Sequence, residues 1–596
     1  MDDIFNNIKN ELSDDTEETL DSLVENYENL TENNVNTYFK MPIYYSNNIQ
    51  LNDTLVKDLE LKDTSENKSI YKNLFQTDNK YLKYEDQMIE QWSRYYTDDK
   101  KFLKDHQTFI KNFKNNNYPH ETNNELTKEM YDSWLNIKNL KYFNEKYQFL
   151  SWEILYPLNT NSFFLTFLSY YNLSSPVFSI LFPILMLIIP LFVLKLRGIV
   201  ISFEEYWNIL KVILANNSVI QLFTNFNKST VQEKFYLIVS CIFYVIQIYQ
   251  NAQYCIMFHR NLSDIISFYE NTKKYISFTK KRMECILKNN LNTFNSFNFE
   301  LNEKYKKLCS IEKNLLDIKK PKSFVFQIGQ IGYIMKLYYE LYNDEIFHNS
   351  FMYSIGFNTY YNHLIDISNL IQDNKMNYCD FISKKKQSNI KNNYYLPLIH
   401  ENPIKNNLSV KKNIIITGPN ASGKTTILKG FLINQILSQQ IGCGCYESAN
   451  IKCYDYIYSY LNIPDTSGRD SLFQAEARRC KEILDNINKN PKKQHLCIFD
   501  ELYSGTNPTD AVETAFEFIK FICKFKSNVR FLITTHYFDL CNNCEKNKIN
   551  VIQKCMKTIS ENNSIKYTYL LEDGINNTRA GKDILKKMNY PDEITN

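Results

Sequence analysis

The apolar positions of this chain are distributed unevenly, and two long runs without charge stand out. Residues 177–194 contain no charged side chain and are almost wholly apolar, with Lys195 and Arg197 soon after them. A second uncharged run covers residues 235–258 and carries several polar side chains near its end. Because about eighteen apolar residues suffice for a helix to cross a bilayer, the first run predicts a membrane span and the second a weaker candidate.

The alternative is that both runs are core helices of a large folded domain, since Pro183 and Pro190 would kink the first one. Membrane insertion is the favoured interpretation, because transmembrane helices tolerate proline and lack charge. Two crossings would leave the intervening loop outside, yet basic loops favour the cytoplasmic side, so a single span or a shallow hairpin stays open. The basic residues of that loop are Lys195, Arg197, Lys211, Lys228 and Lys234.

Periodic patterns organise the rest of the chain. Residues 265–287 and 301–318 are periodic and poor in Gly and Pro, which predicts extended amphipathic helices that could act as levers. Later, short apolar runs at 413–417, 496–499 and 531–534 alternate with helical patterns and each ends at a cluster of polar residues. This alternation predicts a mostly parallel sheet with the polar clusters at the carboxyl ends of its strands, where α/β proteins bind ligands.

The patterns together predict a multidomain α plus α/β chain. Its first 35 residues are strongly acidic and read as a solvated tail, and the following polar, Asn-rich stretch carries no recognisable chemistry. We expect four regions: an N-terminal region of unknown role (1–135), an apolar helical region with the membrane candidates (136–261), a helical lever region (262–389) and an α/β domain (390–596).

The length, charge and cysteine content of the chain limit the classes of protein to which it can belong. At 596 residues the chain exceeds what one core usually supports, so several domains are expected. The net charge of +3 gives no overall electrostatic case for binding nucleic acid, so any DNA contact has to be local. The 14 cysteines are scattered and no signal peptide is recognised, which predicts a reduced intracellular compartment.

A phosphate-binding loop is the clearest chemical motif. Residues 418–425 fit G-x-x-x-x-G-K-[ST], and they follow an apolar strand pattern and precede a helical one. In such a loop the backbone amides cradle phosphates, the lysine neutralises the terminal phosphates and the hydroxyl of the last residue holds Mg²⁺. The expected nucleotide-binding residues are Gly418, Pro419, Asn420, Ala421, Ser422, Gly423, Lys424, Thr425 and Thr426.

Two further strand ends supply the groups that a nucleotide site needs. The strand 496–499 runs into Asp500 and Glu501, which suits one carboxylate on Mg²⁺ and another on the attacking water. We therefore expect Thr425 and Asp500 to bind the metal and Glu501 to activate water; a solvated strand end is the alternative. A third strand delivers His536, expected to sense the γ-phosphate unless it is merely structural.

These segments resemble the ATPase signatures of the MutS family, in the same order. The resemblance rests on residues 417–420, 500–506 and 535–540, and on 471–476, which is similar to the family's Ser-Thr-Phe-x-x-Glu segment. It covers the chain from about Tyr395 onward. By resemblance, the C-terminal region is an ABC-type P-loop ATPase domain that binds ATP and Mg²⁺.

The same resemblance implies that two chains close over two ATP molecules. Ser471, with Ser467 as a second candidate, would reach the γ-phosphate bound by the partner subunit. The partner would be a second copy or a related MutS-like subunit. Tyr446 would stack near the nucleotide or simply pack in the core.

For the whole chain we favour a reduced MutS-like ATPase with short lever helices, attached to a membrane, in which ATP-driven closure of the dimer moves those helices. Three alternatives stay open. The first is a mismatch or branched-DNA sensor of the MutS type. The second is a membrane-anchored ATPase that acts in remodelling or transport without DNA, with its ATPase domain on the cytoplasmic side. The third, a scaffold locked by nucleotide, is disfavoured because Lys424, Asp500, Glu501 and His536 are all present.

Overall fold

The structure of the chain is a computed structural model with side chains. It describes residues 34–62, 69–75, 83–114, 119, 122–198, 202, 204–208, 230–289, 291–316, 318, 330–383, 386–461, 471–561, 564–578, 585, 588, 590 and 591. Most of the acidic N-terminal tail, the second serine candidate Ser467 and most of the C-terminal segment after residue 578 lie outside these residues.

The described helices and strands mix helical and α/β architecture, as the sequence predicts. The helices are α1 (Val35–Tyr38), α2 (Asp53–Asp58), α3 (Ile70–Leu74), α4 (Lys83–Trp92), α5 (Lys100–Lys114), α6 (Asn124–Lys138), α7 (Phe143–Lys146), α8 (Ser162–Leu196), α9 (Val231–Leu287), α10 (Asn295–Leu316), α11 (Ile331–Asn343), α12 (Glu345–Gln372), α13 (Lys424–Ile441), α14 (Leu472–Lys489), α15 (Pro508–Ile522) and α16 (Phe538–Lys546). The strands are β1 (Asn48–Gln50), β2 (Tyr95–Thr97), β3 (Asn377–Phe381), β4 (Asn389–Asn393), β5 (Asn406–Ser409), β6 (Asn413–Thr417), β7 (Cys443–Gly444), β8 (Ser448–Ile451), β9 (Tyr456–Tyr460), β10 (His495–Asp500), β11 (Val529–Thr535), β12 (Val551–Glu561) and β13 (Ser564–Asp573).

The chain divides into two compact units that interleave along the sequence. Unit 1 comprises the described parts of Met1–Asn124, Thr279–Lys306 and Met352–Asn596. Unit 2 comprises those of Glu125–Phe278 and Lys307–Phe351. Unit 1 therefore joins N-terminal residues to the α/β domain, although several hundred residues separate them in the sequence.

A six-stranded sheet forms the centre of unit 1, in the order β13-β12-β6-β11-β10-β9. The five strands from β12 to β9 are parallel, and β13 pairs antiparallel with β12. The strands are rich in Ile and Phe because they are buried on both faces, as parallel sheets are. The predicted parallel sheet is confirmed.

Helices α14, α15 and α16 pack against this sheet over one apolar core. Its members include Ile483, Phe499, Ala511, Phe531 and Leu540, all at most 3% exposed. Local signals explain where these helices start: α14 begins with a capping box, and α15 begins at Pro508 behind the N-cap Asn507.

Helix α13 forms hydrogen bonds with residues from the N-terminal part of unit 1. Gln440 on α13 accepts a hydrogen bond from the hydroxyl of Tyr71 at 2.7 Å. Its amide donates to the carbonyl oxygens of Trp92 and Tyr95 at 2.6 and 2.8 Å. Buried polar groups need hydrogen-bond partners, so these bonds fix one particular position of the N-terminal helices on α13. Apolar contact alone would be less specific.

Smaller sheets complete unit 1. Strands β1 and β2 pair antiparallel, and a five-stranded sheet has the order β5-β4-β8-β3-β7. Within it β3 and β8 are parallel, whereas β4 pairs antiparallel with both β5 and β8.

Two long helices dominate unit 2. The uncharged run 177–194 lies within α8, and the run 235–258 lies within α9. Helices α8 and α9 contact each other through polar groups: the Tyr244 hydroxyl donates to the Ser179 carbonyl at 2.7 Å, and the Asn251 amide donates to Ser179 Oγ at 3.0 Å. Many apolar side chains of both helices are exposed, among them Phe178, Ile180, Ile242, Phe243 and Val245.

Helix α11 packs against the first turns of α8. A Cβ at Gly332 would lie 2.1 Å from the Ser162 carbonyl oxygen and 2.1 Å from Thr166 Oγ1. Only glycine permits this approach, so the two backbones come close at Gly332.

Candidate functional site

The three predicted motifs meet at one edge of the six-stranded sheet. Asp500, at the end of β10, pairs in register with Thr534 on β11. Thr535, one residue further, pairs with Thr417 at the end of β6. Parallel strands bring their carboxyl ends to the same edge, which is why motifs distant in the sequence converge here.

The phosphate loop lies between β6 and α13. Gly423, directly before the helix, has a φ of +93°, a conformation that glycine adopts without strain. The Ser422 hydroxyl donates to the Pro419 carbonyl at 2.7 Å and so closes the loop on itself. The loop leads into the N-terminus of an 18-residue helix, where free backbone amides and the helix dipole favour anions.

The Lys424 ammonium is buried inside this loop. It donates to the carbonyl oxygens of Gly418 and Pro419 at 2.9 and 3.2 Å, and to Asn420 Oδ1 at 3.4 Å. It also lies 3.3 Å from Glu501 Oε1. The cation is thus held inside the loop by neutral oxygens and one carboxylate.

Asp500 and Thr425 form the second contact between motifs. The Thr425 hydroxyl donates to Asp500 Oδ2 at 2.6 Å, and the Thr534 hydroxyl donates to Asp500 Oδ1. Hydroxyl and carboxylate oxygens are suitable ligands for Mg²⁺, which is usually held by one or two protein ligands together with phosphates. Among the described residues no group of three or more His, Cys, Asp or Glu side chains could hold a metal ion.

Glu501 adopts a left-handed backbone conformation with φ of 51°. Its N–H donates to the carbonyl oxygen and hydroxyl of Thr534 at 3.2 and 3.1 Å, which fixes this unusual geometry. Strained backbone of this type concentrates at functional sites. Sequence reasoning missed Thr534, which binds the Asp500 carboxylate and the Glu501 backbone N–H, because a threonine inside a strand pattern carries no distinctive signal.

His536 lies beside the Glu501 carboxylate, with Nδ1 3.7 Å from Oε1. His536 and Lys424 together lower the pKa of Glu501 to about 2, although burial opposes this shift. Glu501 is therefore an ionised carboxylate near neutral pH. The structure thus brings Lys424, Thr425, Asp500, Glu501 and His536 together.

Ser471 belongs to a different feature, the exposed N-terminus of α14. It is the N-cap of the helix: its hydroxyl oxygen accepts from the Gln474 N–H at 3.3 Å, and the Gln474 side chain accepts from the Ser471 N–H at 3.0 Å. Glu476, on the same helix, accepts from the Ser504 hydroxyl and the Gly505 N–H, both at 3.1 Å. Helix α14 is thereby tied to the loop that follows Glu501.

A cavity of about 320 Å³ adjoins the phosphate loop. Gly423 and Thr426 form its wall on the loop side, and Tyr395, Ile404 and Tyr569 supply apolar surface. The Tyr569 ring packs against Gly423: a Cβ added at Gly423 would lie 3.1 Å from Cδ1 of this ring. The sequence did not reveal Tyr569, which comes from the distant strand β13.

Tyr446 is not part of this cavity wall. The side chain is buried, at 1% exposure, and its hydroxyl lies 3.0 Å from Ser438 Oγ. Of the two roles considered for it, packing in the core fits this position.

Comparison with known proteins identifies the domain that carries the site. Residues 414–596 match the family model of MutS domain V. Over this domain the chain is similar to proteins of the MutS family. The MutS domain contains all of the motif residues just described.

Curated MutS proteins align over the same part of the chain. The DNA mismatch repair protein MutS of Bacteroides fragilis is 30% identical over 183 residues, which cover 30% of this chain and 21% of that protein. The human MutS protein homolog 4 is 30% identical over 188 residues, covering 29% of this chain and 19% of that protein. The chain thus matches about a fifth of the length of these relatives.

Proposed function

We propose that this chain is an ATP hydrolase whose site is the sheet edge just described, with an ABC-type arrangement. The observation that supports it most is the pair of contacts between motifs, Thr425 with Asp500 and Lys424 with Glu501. These contacts put a phosphate-binding cation, a metal-binding pair and an ionised base within one small volume. That is the set of groups that phosphoryl transfer to water requires.

Each residue has a distinct role in this proposal. The loop amides and Lys424 bind the phosphates, while Thr425 and Asp500 would hold Mg²⁺, which would neutralise charge on the phosphate oxygens. Glu501 accepts a proton from the attacking water, and His536, beside it, senses the γ-phosphate. The cavity lined by Tyr395 and Tyr569 takes the adenine base, because it opens beside the loop and offers aromatic faces.

We propose further that the site is completed by a second chain. Ser471 is exposed at the start of α14, outside the cluster around Lys424, and an exposed helix N-terminus suits contact with a phosphate on a partner. Two chains facing each other would each supply Ser471 to the other. The partner is a second copy or a related MutS-like subunit.

Mixing two inactive variants tests the composite site. Ser471→Ala should disable the serine contribution and Glu501→Gln the water-activating contribution. A mixed dimer then contains one site with both intact parts. Recovery of ATP hydrolysis on mixing supports the proposal; two variants that stay inactive together, although they form dimers, would contradict it.

The relatives' names concern DNA mismatch repair, and we propose that this chain also binds mismatched or branched DNA. The proposal depends on the family relation of the ATPase domain alone. Fluorescence anisotropy of homoduplex, mismatched and four-way-junction DNA, measured across a salt series with and without ATP, tests it. Preference for mismatch or junction that changes with ATP supports DNA recognition, whereas equal, weak and strongly salt-dependent binding to all three DNAs argues against it.

A second candidate function is a membrane-anchored ATPase, and unit 2 favours it. In the described residues one helix, Lys234–Leu287, is long and apolar enough to cross a membrane by length and composition, and none of its most apolar window is buried. Polar groups of α8 and α9 meet each other at Ser179 and Asn251 while apolar side chains face outward, as in a helical hairpin within lipid. In this proposal the chain is intracellular and its ATPase domain is on the cytoplasmic side.

Flotation of the full-length chain with lipid vesicles tests this candidate. The double variant Ile242→Lys, Val245→Lys places two charges on exposed apolar positions of α9 and should abolish flotation, since charge in hydrocarbon is costly. Ile346→Lys changes an equally exposed position of unit 2 outside the apolar runs and should float as the wild type does. Flotation that survives the double variant would exclude α9 as the anchor.

A further inference from the structure

The helix that presents Ser471 is fixed by a partly buried ion pair with the N-terminal part of unit 1. Arg479 on α14 donates through Nε and Nη2 to the carbonyl oxygen of Ser459, at 3.2 and 3.1 Å. Its Nη2 also lies 3.3 Å from Oδ2 of Asp58, the last residue of α2. The two partners are 421 positions apart in the chain.

One carboxylate oxygen of Asp58, Oδ2, accepts three hydrogen bonds at this point. The same Oδ2 atom accepts from the Ser459 hydroxyl at 2.7 Å and from the Leu461 N–H at 3.3 Å. Asp58 is 8% exposed. A buried carboxylate with a guanidinium and two further donors is a geometrically demanding arrangement, so it defines the position of α14 relative to β9 and α2.

The residues after α2 also contact the helix of the phosphate loop. Glu60 lies two positions beyond Asp58, in a left-handed conformation with φ of 54°. Its carboxylate is 3.4 Å from Nζ of Lys429 on α13. One short N-terminal segment therefore contacts both α13, which carries the chain's own phosphate loop, and α14, which carries Ser471.

We infer that Asp58 is a positioning residue for ATP hydrolysis: through Arg479 it holds α14 so that Ser471 reaches the nucleotide of the partner subunit. The inference rests on the proposed composite site. It gives the N-terminal region a role, namely to set the distance between the two half-sites of one chain. A shift of about 1 Å at a reacting group can lower a rate by roughly a hundredfold, so loss of this ion pair is sufficient to impair turnover.

Asp58→Asn in the full-length chain removes the charge and keeps the shape. Binding of ATP to the variant's own phosphate loop, and KM, should stay at the wild-type values, whereas kcat should fall by about ten- to a hundredfold. Asp53→Asn is the matched control: it makes the same chemical change at an exposed position of the same helix and should leave both parameters unchanged. Equal losses in KM and kcat, or an unchanged kcat, would overturn the inference.

A mixing experiment distinguishes a defect in presenting Ser471 from a general structural defect. In a mixed dimer of Asp58→Asn and Glu501→Gln, one site combines an intact phosphate loop with an intact α14. Activity should return to about a quarter of the wild-type rate, because half of the dimers are mixed and each has one intact site. The pair Ser471→Ala and Glu501→Gln serves as the reference.

The two mixtures separate the possible failures. If the Ser471→Ala mixture recovers and the Asp58→Asn mixture does not, Asp58 acts on its own site and the inference is wrong while the composite site stands. If neither recovers, the composite site itself is wrong. Arg479→Gln removes the other partner of the same ion pair and should also lower kcat while leaving KM unchanged. This second variant keeps the inference testable even if Asp58→Asn fails to fold.

Discussion

The Lys424 ammonium lies 3.3 Å from Glu501 Oε1, so the cation of the phosphate loop and the acid at the end of β10 neutralise each other in this structure. Binding of a nucleotide would bring phosphate charge to Lys424 and compete with Glu501 for it. The carboxylate that leaves this pair is then available to the attacking water. With Glu501 as the proposed base, this contact would link phosphate binding to the release of the base.

Glu501→Gln should keep ATP binding and lose hydrolysis. The amide cannot take a proton from water, and removal of a positioned general base typically lowers a rate by about 10²- to 10⁴-fold. Because the neutral amide would no longer pair with Lys424 as a charge, ATP affinity should be equal or higher. Single-turnover hydrolysis and nucleotide binding would be measured side by side, with Glu513→Gln, at an exposed position of α15, as the control. Near-normal turnover in Glu501→Gln would rule out its assignment as the base.

The position of these groups followed from the sequence because the signals are local. One apolar strand ends in Asp500-Glu501 and another ends before His536. Because parallel strands end at the same edge of a sheet, this pattern alone predicts that the two ends lie together. The phosphate loop is similar, since its Gly and Lys spacing and the flanking strand and helix are continuous in the sequence.

Contacts between distant segments were not predictable in this way. Asp58 and Ser459 are 401 positions apart, and the N-terminal region shows no pattern that points to the ATPase domain. Tyr569 likewise reaches the phosphate loop only because β13 folds back along β12. Such pairings depend on how all the helices and strands pack together, and no local pattern in a single sequence reveals this packing.

Acid should weaken the contribution of Glu501 to stability. Its pKa in the folded protein is about 2, below the ordinary value of 4.5, so the ionised form stabilises the fold above pH 4.5. This contribution is lost as the pH falls from about 4.5 toward about 2, where the folded protein takes up the proton. The difference in Tm between the wild type and Glu501→Gln should therefore shrink as the pH falls through that range.

His536→Ala should shift the acid limb of the pH–rate profile upward. His536 is the largest cause of the low pKa of Glu501, and without it only Lys424 favours the ionised form. The base would then be protonated at a higher pH. The measurement is kcat/KM as a function of pH for both proteins. An acid limb at the same pH in both would show that His536 does not act on Glu501.

Ser471→Asp should separate the two roles of Ser471. Aspartate caps helices about as well as serine, whereas loss of a cap costs about 1 kcal/mol, so this variant should keep the Tm of the wild type. Its negative charge would repel the phosphate of the partner's nucleotide, and hydrolysis should fall strongly. If Ser471 only capped α14, Ser471→Asp would hydrolyse ATP at the normal rate.

Tyr569→Ala should weaken ATP binding without affecting the phosphate loop. The ring lines the cavity beside Gly423, and stacking of a base on an aromatic side chain contributes roughly 1 to 3 kcal/mol by alanine substitution, which is about 5- to 150-fold in affinity. Tyr569→Phe keeps the ring and should bind as the wild type does. Inorganic tripolyphosphate lacks a base, so its affinity should be the same in all three proteins. Loss of tripolyphosphate binding in Tyr569→Ala would mean that the tyrosine supports the loop itself, whereas unchanged ATP affinity would place the base elsewhere.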